Sequence, residues 1–227
     1  MRLVKPLAEV LHINTEALQL IEYAGRTCYK SEDKISQTSA PEFAAMILKR
    51  GHESVIEHAS ATVRFVCDRG VSHEIVRHRL ASYSQESTRY CDYEGGHVAF
   101  VIPPWCQSLL AGEASICTDD AALDTITESS DSEMYFWLYS MQQAENSYKR
   151  LRTLGWRPEQ ARSVLPNSLK TEIVMTANLR EWRHFFKLRT AAAAHPQMRE
   201  VACPLLAKFR QFMPVVFDDV GNTESAI

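Results

Sequence analysis

Between Tyr90 and Tyr148 the chain has neither lysine nor arginine, although its 227 residues hold 25 of them. Ten acidic residues, from Asp92 to Glu145, fall in the same interval. Chemistry that needs side-chain cations is therefore excluded from the middle of the sequence and pushed to its two flanks. A second absence is any C-x-x-C pair: Cys28, Cys67, Cys91, Cys106, Cys117 and Cys203 are scattered, which speaks against a zinc knuckle or a dithiol redox pair. There is no basic excess either. The net charge of −3 is the wrong sign for a general binder of nucleic-acid polymers or membrane surfaces, so any bound anion should be small and met locally. No apolar run approaches the ~20 residues of a membrane span, and Met1-Arg2-Leu3-Val4-Lys5-Pro6 lacks the apolar core of a signal peptide, so a cytoplasmic protein is expected. The sequence His73-Glu74-Ile75-Val76-Arg77-His78 is not the H-E-x-x-H zinc helix, because its histidines are five apart and turn about 140° from each other on a helix. No metal site is expected.

What is present suits an ordinary globular chain, 45% hydrophobic and 23% charged. Arg2 to Leu11 reads as a strand, and Asn14 or Thr15 caps a helix with Leu18, Ile21 and Ala24 inward. Ser39-Ala40-Pro41-Glu42 forms a capping-box pattern opening a helix from Ala40 to Arg50, and Gly51 sits where a left-handed C-terminal residue belongs. Ala61, Val63, Phe65 and Cys67 alternate with Thr62, Arg64 and Val66 as a strand with one buried face. A short helix runs into Arg77, His97 to Ile102 is another strand, and Glu133 to Leu154 a long helix. Pro158 to Leu165 is a short helix stopped by Pro166, and Leu169 to Ala177 a strand leading to Asn178, an N-cap with Glu181 three residues on. Pro196 to Phe212 is a last helix. The pattern predicts an α+β (mixed α/β) fold, helices packed around a small central sheet, in a single domain over 1–227. A variable acidic insertion is expected at about 107–132, from its Ser/Thr/Asp-rich, weakly periodic composition.

The chemistry concentrates in Arg77 to Arg89, RHRLASYSQESTR. Successive helical residues point about 100° apart, so Arg77, His78 and Arg79 share a face only where a helix ends or breaks. Ser82, Ser84, Ser87 and Thr88 add short polar side chains suited to turns and to phosphate. A lone Arg-His-Arg would be a solvated basic helix end. Here it is followed by seven residues and Ser87, with Arg89 two positions on, and preceded by the block Gly51-His52-Glu53-Ser54-Val55-Ile56-Glu57-His58. Asn178-Leu179-Arg180, His184 and Leu188-Arg189 lie downstream. Together these blocks resemble the flavin-dependent thymidylate synthases, over roughly Arg26 to Gln197.

The resemblance implies noncovalent FAD, with Ser54, Arg77, His78, Arg79, Gln85, Asn178, Arg180 and His184 as its contacts. It likewise implies that Glu74, Arg77, Gln85, Glu86, Ser87, Thr88, Arg89, Arg162 and Arg189 bind deoxyuridylate. Arg189 would be catalytic, set against the uracil ring to stabilise negative charge at N3 and its neighbouring carbonyl. Read from periodicity alone, Trp182, Phe185, Phe186 and Arg189 share an arc of roughly 80°, so Arg189 extends an apolar stripe and must either snorkel outward, pair with a buried carboxylate or meet a ligand. The implied activity is reductive methylation of deoxyuridylate to thymidylate, with 5,10-methylenetetrahydrofolate as carbon donor and NADPH as reductant. A homotetramer with active sites at subunit interfaces is implied as well. Cys106, in Pro103-Pro104-Trp105-Cys106-Gln107, invites comparison with the cysteine-dependent thymidylate synthases, but it lies in the stretch without cations, where a thiolate is not favoured. His52, His58 and Glu57 read as structural on their own. The alternative of another class is a noncatalytic nucleotide-phosphate sensor using the same arginines without a flavin.

Overall fold

A computed structural model describes residues 1–109, 115–117 and 132–221. In chain order its regular elements are β1 (Arg2–Val4), β2 (Leu7–Ile13), α1 (Ala17–Thr27), α2 (Ser39–Lys49), β3 (Ser60–Asp68), α3 (Arg69–Ile75), β4 (Ala81–Gln85), β5 (Ala99–Val101), β6 (Ser115–Cys117), α4 (Ser132–Thr153), α5 (Pro158–Ala161), β7 (Lys170–Asn178), α6 (Leu179–Arg189), α7 (Pro196–Phe212) and α8 (Pro214–Phe217). Helices set around small sheets make this the mixed α/β class expected from the sequence. The chain forms two compact units, the first from Met1–Leu7, Val66–Ile75 and Gln85–Ile173, the second from Ala8–Phe65, Val76–Ser84 and Val174–Ile227.

In the first unit β1 is the middle strand of a sheet ordered β5-β1-β6. It pairs in parallel with β5 (Leu3↔Phe100) and antiparallel with β6 (Leu3↔Ile116). The expected strand from Arg2 to Leu11 is broken at Pro6, which has no N–H to give a ladder, so β1 and β2 enter different sheets. Met1, Leu3, Val98, Phe100 and Ile102 pack with Leu138, Met141 and Tyr148 of α4 into the core of this unit. Glu145 of α4 is buried and accepts from Lys149 Nζ at 2.8 Å and from the Val98 N–H at 3.1 Å. Within the stretch read as an insertion, Ser115–Cys117 is the strand β6, whereas 110–114 and 118–131 lie outside the described residues.

Most of the second sheet, ordered β2-β3-β7-β4, belongs to the second unit. Ala61, Val63 and Phe65 of β3 are fully buried, as their alternation predicts. The Phe65 ring meets Trp182 and Phe185 of α6, Phe186 stacks on Trp182, and Phe209 of α7 adds a ring 5.2 Å from that of Trp182. Each such side chain contributes roughly 1.5–3 kcal/mol by leaving water. The Trp182 indole also donates to the Ala61 carbonyl at 3.1 Å, which satisfies its one polar atom.

On α1 the buried positions are Ala17, Ile21, Glu22 and Gly25, with Leu18 and Ala24 only half-buried, so the inward face is turned from the one expected. The reason is polar: buried Glu22 accepts from Arg26 Nε at 2.7 Å and from Ser39 Oγ at 2.9 Å. Ser39 is thereby diverted from the N-cap role expected of it, and Thr38 occupies the cap of α2. At Gly25 a Cβ would lie 2.5 Å from the Phe43 ring, so any larger residue there would force that ring to move. Gly51 has φ +73° and ends α2 as read, its N–H bonding the Leu48 carbonyl at 2.9 Å.

Candidate active site

Eight of the expected site residues lie in the second unit: Ser54, Arg77, His78, Arg79, Asn178, Arg180, His184 and Arg189. Helix α3 ends at Ile75, and the broken turn that follows lets the Arg-His-Arg block face two ways: His78 is buried while Arg77 and Arg79 are exposed. The His78 ring is held at both nitrogens, Nδ1 at 3.0 Å from Glu181 Oε1 and Nε2 accepting from Arg189 Nε at 3.1 Å. Its backbone carbonyl accepts from the Tyr83 hydroxyl. Burial pulls the His78 pKa below its ordinary value, the Glu181 hydrogen bond opposes this, and the Arg189 charge adds to it. A ring that accepts at Nε2 from a group able only to donate carries no proton there and is neutral. Half-buried Arg189 thus continues the apolar stripe of Trp182, Phe185 and Phe186, with an imidazole between it and a carboxylate.

Asn178 caps α6, its side-chain oxygen accepting from the Glu181 N–H at 2.9 Å, as its place after a strand predicts. A cavity of about 640 Å³ opens beside this helix start, lined by Glu53, Glu57, Leu80, Asn178, Arg180, Arg183, His184 and Lys187, among others. Arg180 pairs with Glu57 at 2.6 Å, and Arg183 grips Asp219 with two nitrogens at 2.6 and 2.7 Å. The Arg183 guanidinium holds the Asp219 carboxyl below the usual carboxylate range. Ser54 is exposed, in the turn Glu53–His58, and the exposed His184 ring lies 5.5 Å from that of His78. The cavity is of ligand size, within the ~300–1,000 Å³ of ligand pockets, and carries Glu53, Glu57, Glu181 and Asp219 beside its cations. Asn178, Arg180, His184 and Lys187 supply N–H donors for carbonyl or phosphate oxygens.

The remaining expected residues, Glu74, Gln85, Glu86, Ser87, Thr88, Arg89 and Arg162, lie in the first unit. Part of the segment in which Ser82 and Ser84 are read as suited to turns is strand β4, Ala81–Gln85, with Tyr83 and Gln85 more buried than Ser82 and Ser84. The Gln85 amide donates to Ser72 Oγ at 3.0 Å and Thr171 Oγ1 at 3.2 Å, fixing the end of the strand. Glu86 accepts from Lys170 Nζ at 3.0 Å and from the Tyr93 hydroxyl at 3.1 Å. Ser87 Oγ accepts from the Arg89 N–H at 3.3 Å, and the exposed Arg89 guanidinium lies against the Tyr90 ring, 5.2 Å from its centre. Thr88 is buried and accepts from Arg162 Nη1 at 2.9 Å. A second cavity, of about 220 Å³, is lined by Thr88, Arg162, Arg69 and His73 with Ser163 and Asn167 among others. Three cationic or titratable groups around a hydroxyl make a pocket of phosphate size and sign. Glu74 is half-buried on α3.

Sequence reasoning missed Glu181, Tyr83, Lys170, Arg69 and His73 as members of these clusters. Glu181 carried a signal: it lies four residues before Phe185 and eight before Arg189, on the same side of α6. Among the described residues one group has metal-ligand composition, His78, Glu181 and His184, with ligand atoms within 4.8 Å of one another. Both nitrogens of His78 are already engaged, so the ring has no lone pair to give an ion without losing Arg189 or Glu181. Cys106 is buried, its thiol pKa raised by burial and then by the Glu133 charge, the opposite of what an attacking thiolate needs.

The sequence profile of the family described as thymidylate synthase complementing protein matches residues 9–215. A flavin-dependent thymidylate synthase of Corynebacterium aurimucosum is 34% identical over 219 residues, covering 93% of this chain and 83% of the relative. One of Pyrococcus furiosus is 36% identical over 204 residues, covering 87% and 75%. Among solved structures, the UMP/dUMP methylase PolB of Streptomyces cacaoi, bound with 5-Br dUMP, superposes with a TM-score of 0.72 at 24% identity, covering 96% of each chain. Thymidylate synthase X of Helicobacter pylori, with FAD and dUMP, gives 0.71 at 21% identity, covering 96% of this chain and 99% of that one. With a family profile spanning nearly the whole length and relatives above 30% identity, this chain belongs to the flavin-dependent thymidylate synthase family.

Proposed function

We propose that this protein converts deoxyuridylate to thymidylate, taking a methylene group from 5,10-methylenetetrahydrofolate and reducing it to methyl with FAD and NADPH. One observation carries the reading: Arg189 and His78, 111 positions apart in sequence and in different motif blocks, are hydrogen-bonded to each other. Bound FAD supplies the hydride; the protein supplies orientation and charge.

Ser54, Arg77, His78, Arg79, Gln85, Asn178, Arg180 and His184 hold the flavin. Exposed Arg77 and Arg79 place permanent positive charge beside it. Glu74, Gln85, Glu86, Ser87, Thr88, Arg89 and Arg162, with Arg77 and Arg189, hold the nucleotide. Arg162, steadied by buried Thr88, and Arg89 bind its phosphate. The Lys170 ammonium and Tyr93 hydroxyl keep the Glu86 carboxylate in one place, and Arg189 donates toward the pyrimidine atoms where negative charge develops. Ser87 binds and does not attack, its oxygen being turned to the Arg89 N–H. No enzyme thiol takes part. The active form is a homotetramer with active sites at subunit interfaces, and the protein works in the cytoplasm. The cheapest test is colour: purified protein is yellow and bleaches when NADPH is added without oxygen. A colourless protein that binds deoxyuridylate would instead be the nucleotide sensor.

A further inference from the structure

We infer that Glu181 is a positioning residue for the reaction, acting on Arg189 through the tautomer of His78; the inference rests on the role of Arg189 proposed above. An arginine Nε–H can only donate. His78 Nε2, 3.1 Å away, must therefore present its lone pair, and the single proton of the neutral ring must be on Nδ1. Nδ1 faces Glu181 Oε1 at 3.0 Å, and an ionised carboxylate can only accept. The two ends dictate one direction of donation, Arg189 to His78 to Glu181.

The surroundings hold the imidazole in that register. His78 is 3% and Glu181 7% exposed, so water does not compete for either nitrogen. The Phe185 ring packs 4.9 Å from the His78 ring, the Tyr83 hydroxyl donates to the His78 carbonyl, and the Glu181 backbone is fixed by the Asn178 cap. A guanidinium held at Nε has the orientation of its plane fixed, which is what a fixed approach to a planar ring needs. Without the carboxylate the imidazole is free to take the other tautomer, and Nε2–H would then face the Arg189 Nε–H, donor against donor.

Glu181→Gln keeps size and shape but replaces an acceptor by an amide that can present either its oxygen or its NH₂ to Nδ1, so the residue-181 end no longer dictates the tautomer and only Arg189 still favours it. Thymidylate turnover by the holoenzyme should fall about 10- to 100-fold, the scale of a misplaced catalytic group. FAD content, NADPH-driven flavin bleaching and the KM for deoxyuridylate should stay near wild type, a split that a merely structural residue would not produce. Wild-type turnover in Glu181→Gln would overturn the inference, and so would loss of FAD from the variant, which would make Glu181 a flavin residue. Neutron diffraction from wild-type holoenzyme crystals tests it without any variant: a deuteron is expected on His78 Nδ1 and none on Nε2. A deuteron on Nε2 would overturn the inference even if Glu181→Gln failed to fold. If the wild type makes no thymidylate, the proposed function fails, and the deuteron still reports on the arrangement.

Discussion

Replacing Arg189 by lysine keeps a positive charge on α6 but removes the Nε–H that His78 Nε2 accepts at 3.1 Å. Two effects of different size follow. The first is structural: the buried His78 nitrogen loses its partner, at a cost of about 1–3 kcal/mol. At about 2–4 °C per kcal/mol for a chain of this length, melting should fall by several degrees. The second is chemical. A lysine is a flexible point charge without the planar fork, so it cannot keep two donors on the pyrimidine edge, and loss of one such donor costs roughly 10²- to 10³-fold in turnover. Thymidylate formation measured at saturating deoxyuridylate and methylenetetrahydrofolate should therefore drop far more than stability does. NADPH-dependent bleaching of the flavin serves as an internal control and should persist. Turnover within threefold of wild type, with the melting loss present, would refute the assignment of Arg189 to the reacting pyrimidine.

Cys106→Ala should leave thymidylate synthesis largely intact, since the thiol is buried beside Glu133; near-total loss of turnover with folding unchanged would revive a cysteine mechanism. The His78 ring, facing Glu181, Arg189 and His184, has a folded pKa below the ordinary 6.5, so as pH falls the unfolded chain takes up its proton first. The stability it contributes should thus be complete above about pH 6.5 and decline below it. The gap between wild type and His78→Gln in urea midpoints should narrow on acidification, and a widening gap would contradict the neutral ring. Trp182→Ala removes a fully buried ring and the donor to the Ala61 carbonyl, and should cost about 3–5 kcal/mol in chemical denaturation. A loss below about 1 kcal/mol would mean that the aromatic cluster is not the core it looks like.

Elements set by local chemistry were legible in the sequence. Alternation revealed β3, the pairing of a strand with Asn178 and Glu181 revealed the β7–α6 junction, and Pro196 to Phe212 matches α7 to the residue. Elements decided by distant partners were not. Ser82 and Ser84 have the side chains of a turn, yet Ala81–Gln85 pairs as an edge strand because β7 offers it a ladder. Buried Glu22 turned the face of α1, since a carboxylate with Arg26 and Ser39 around it can be buried where a pattern of apolar residues would not place it. The Arg189 stripe was visible, as was the need for a partner, and the spacing of Glu181 put it on the same side of α6; the imidazole that joins the two comes from a segment 111 positions away, which no local pattern marks.

The central claim is tested most directly by thymidylate formation from deoxyuridylate in mixtures that each omit one component. With protein first stripped of its flavin, the complete mixture with methylenetetrahydrofolate, FAD and NADPH should yield thymidylate, and omission of either the flavin or the reductant should abolish it. Thymidylate formed without flavin, or none formed in the complete mixture by folded, FAD-loaded protein, would contradict the account.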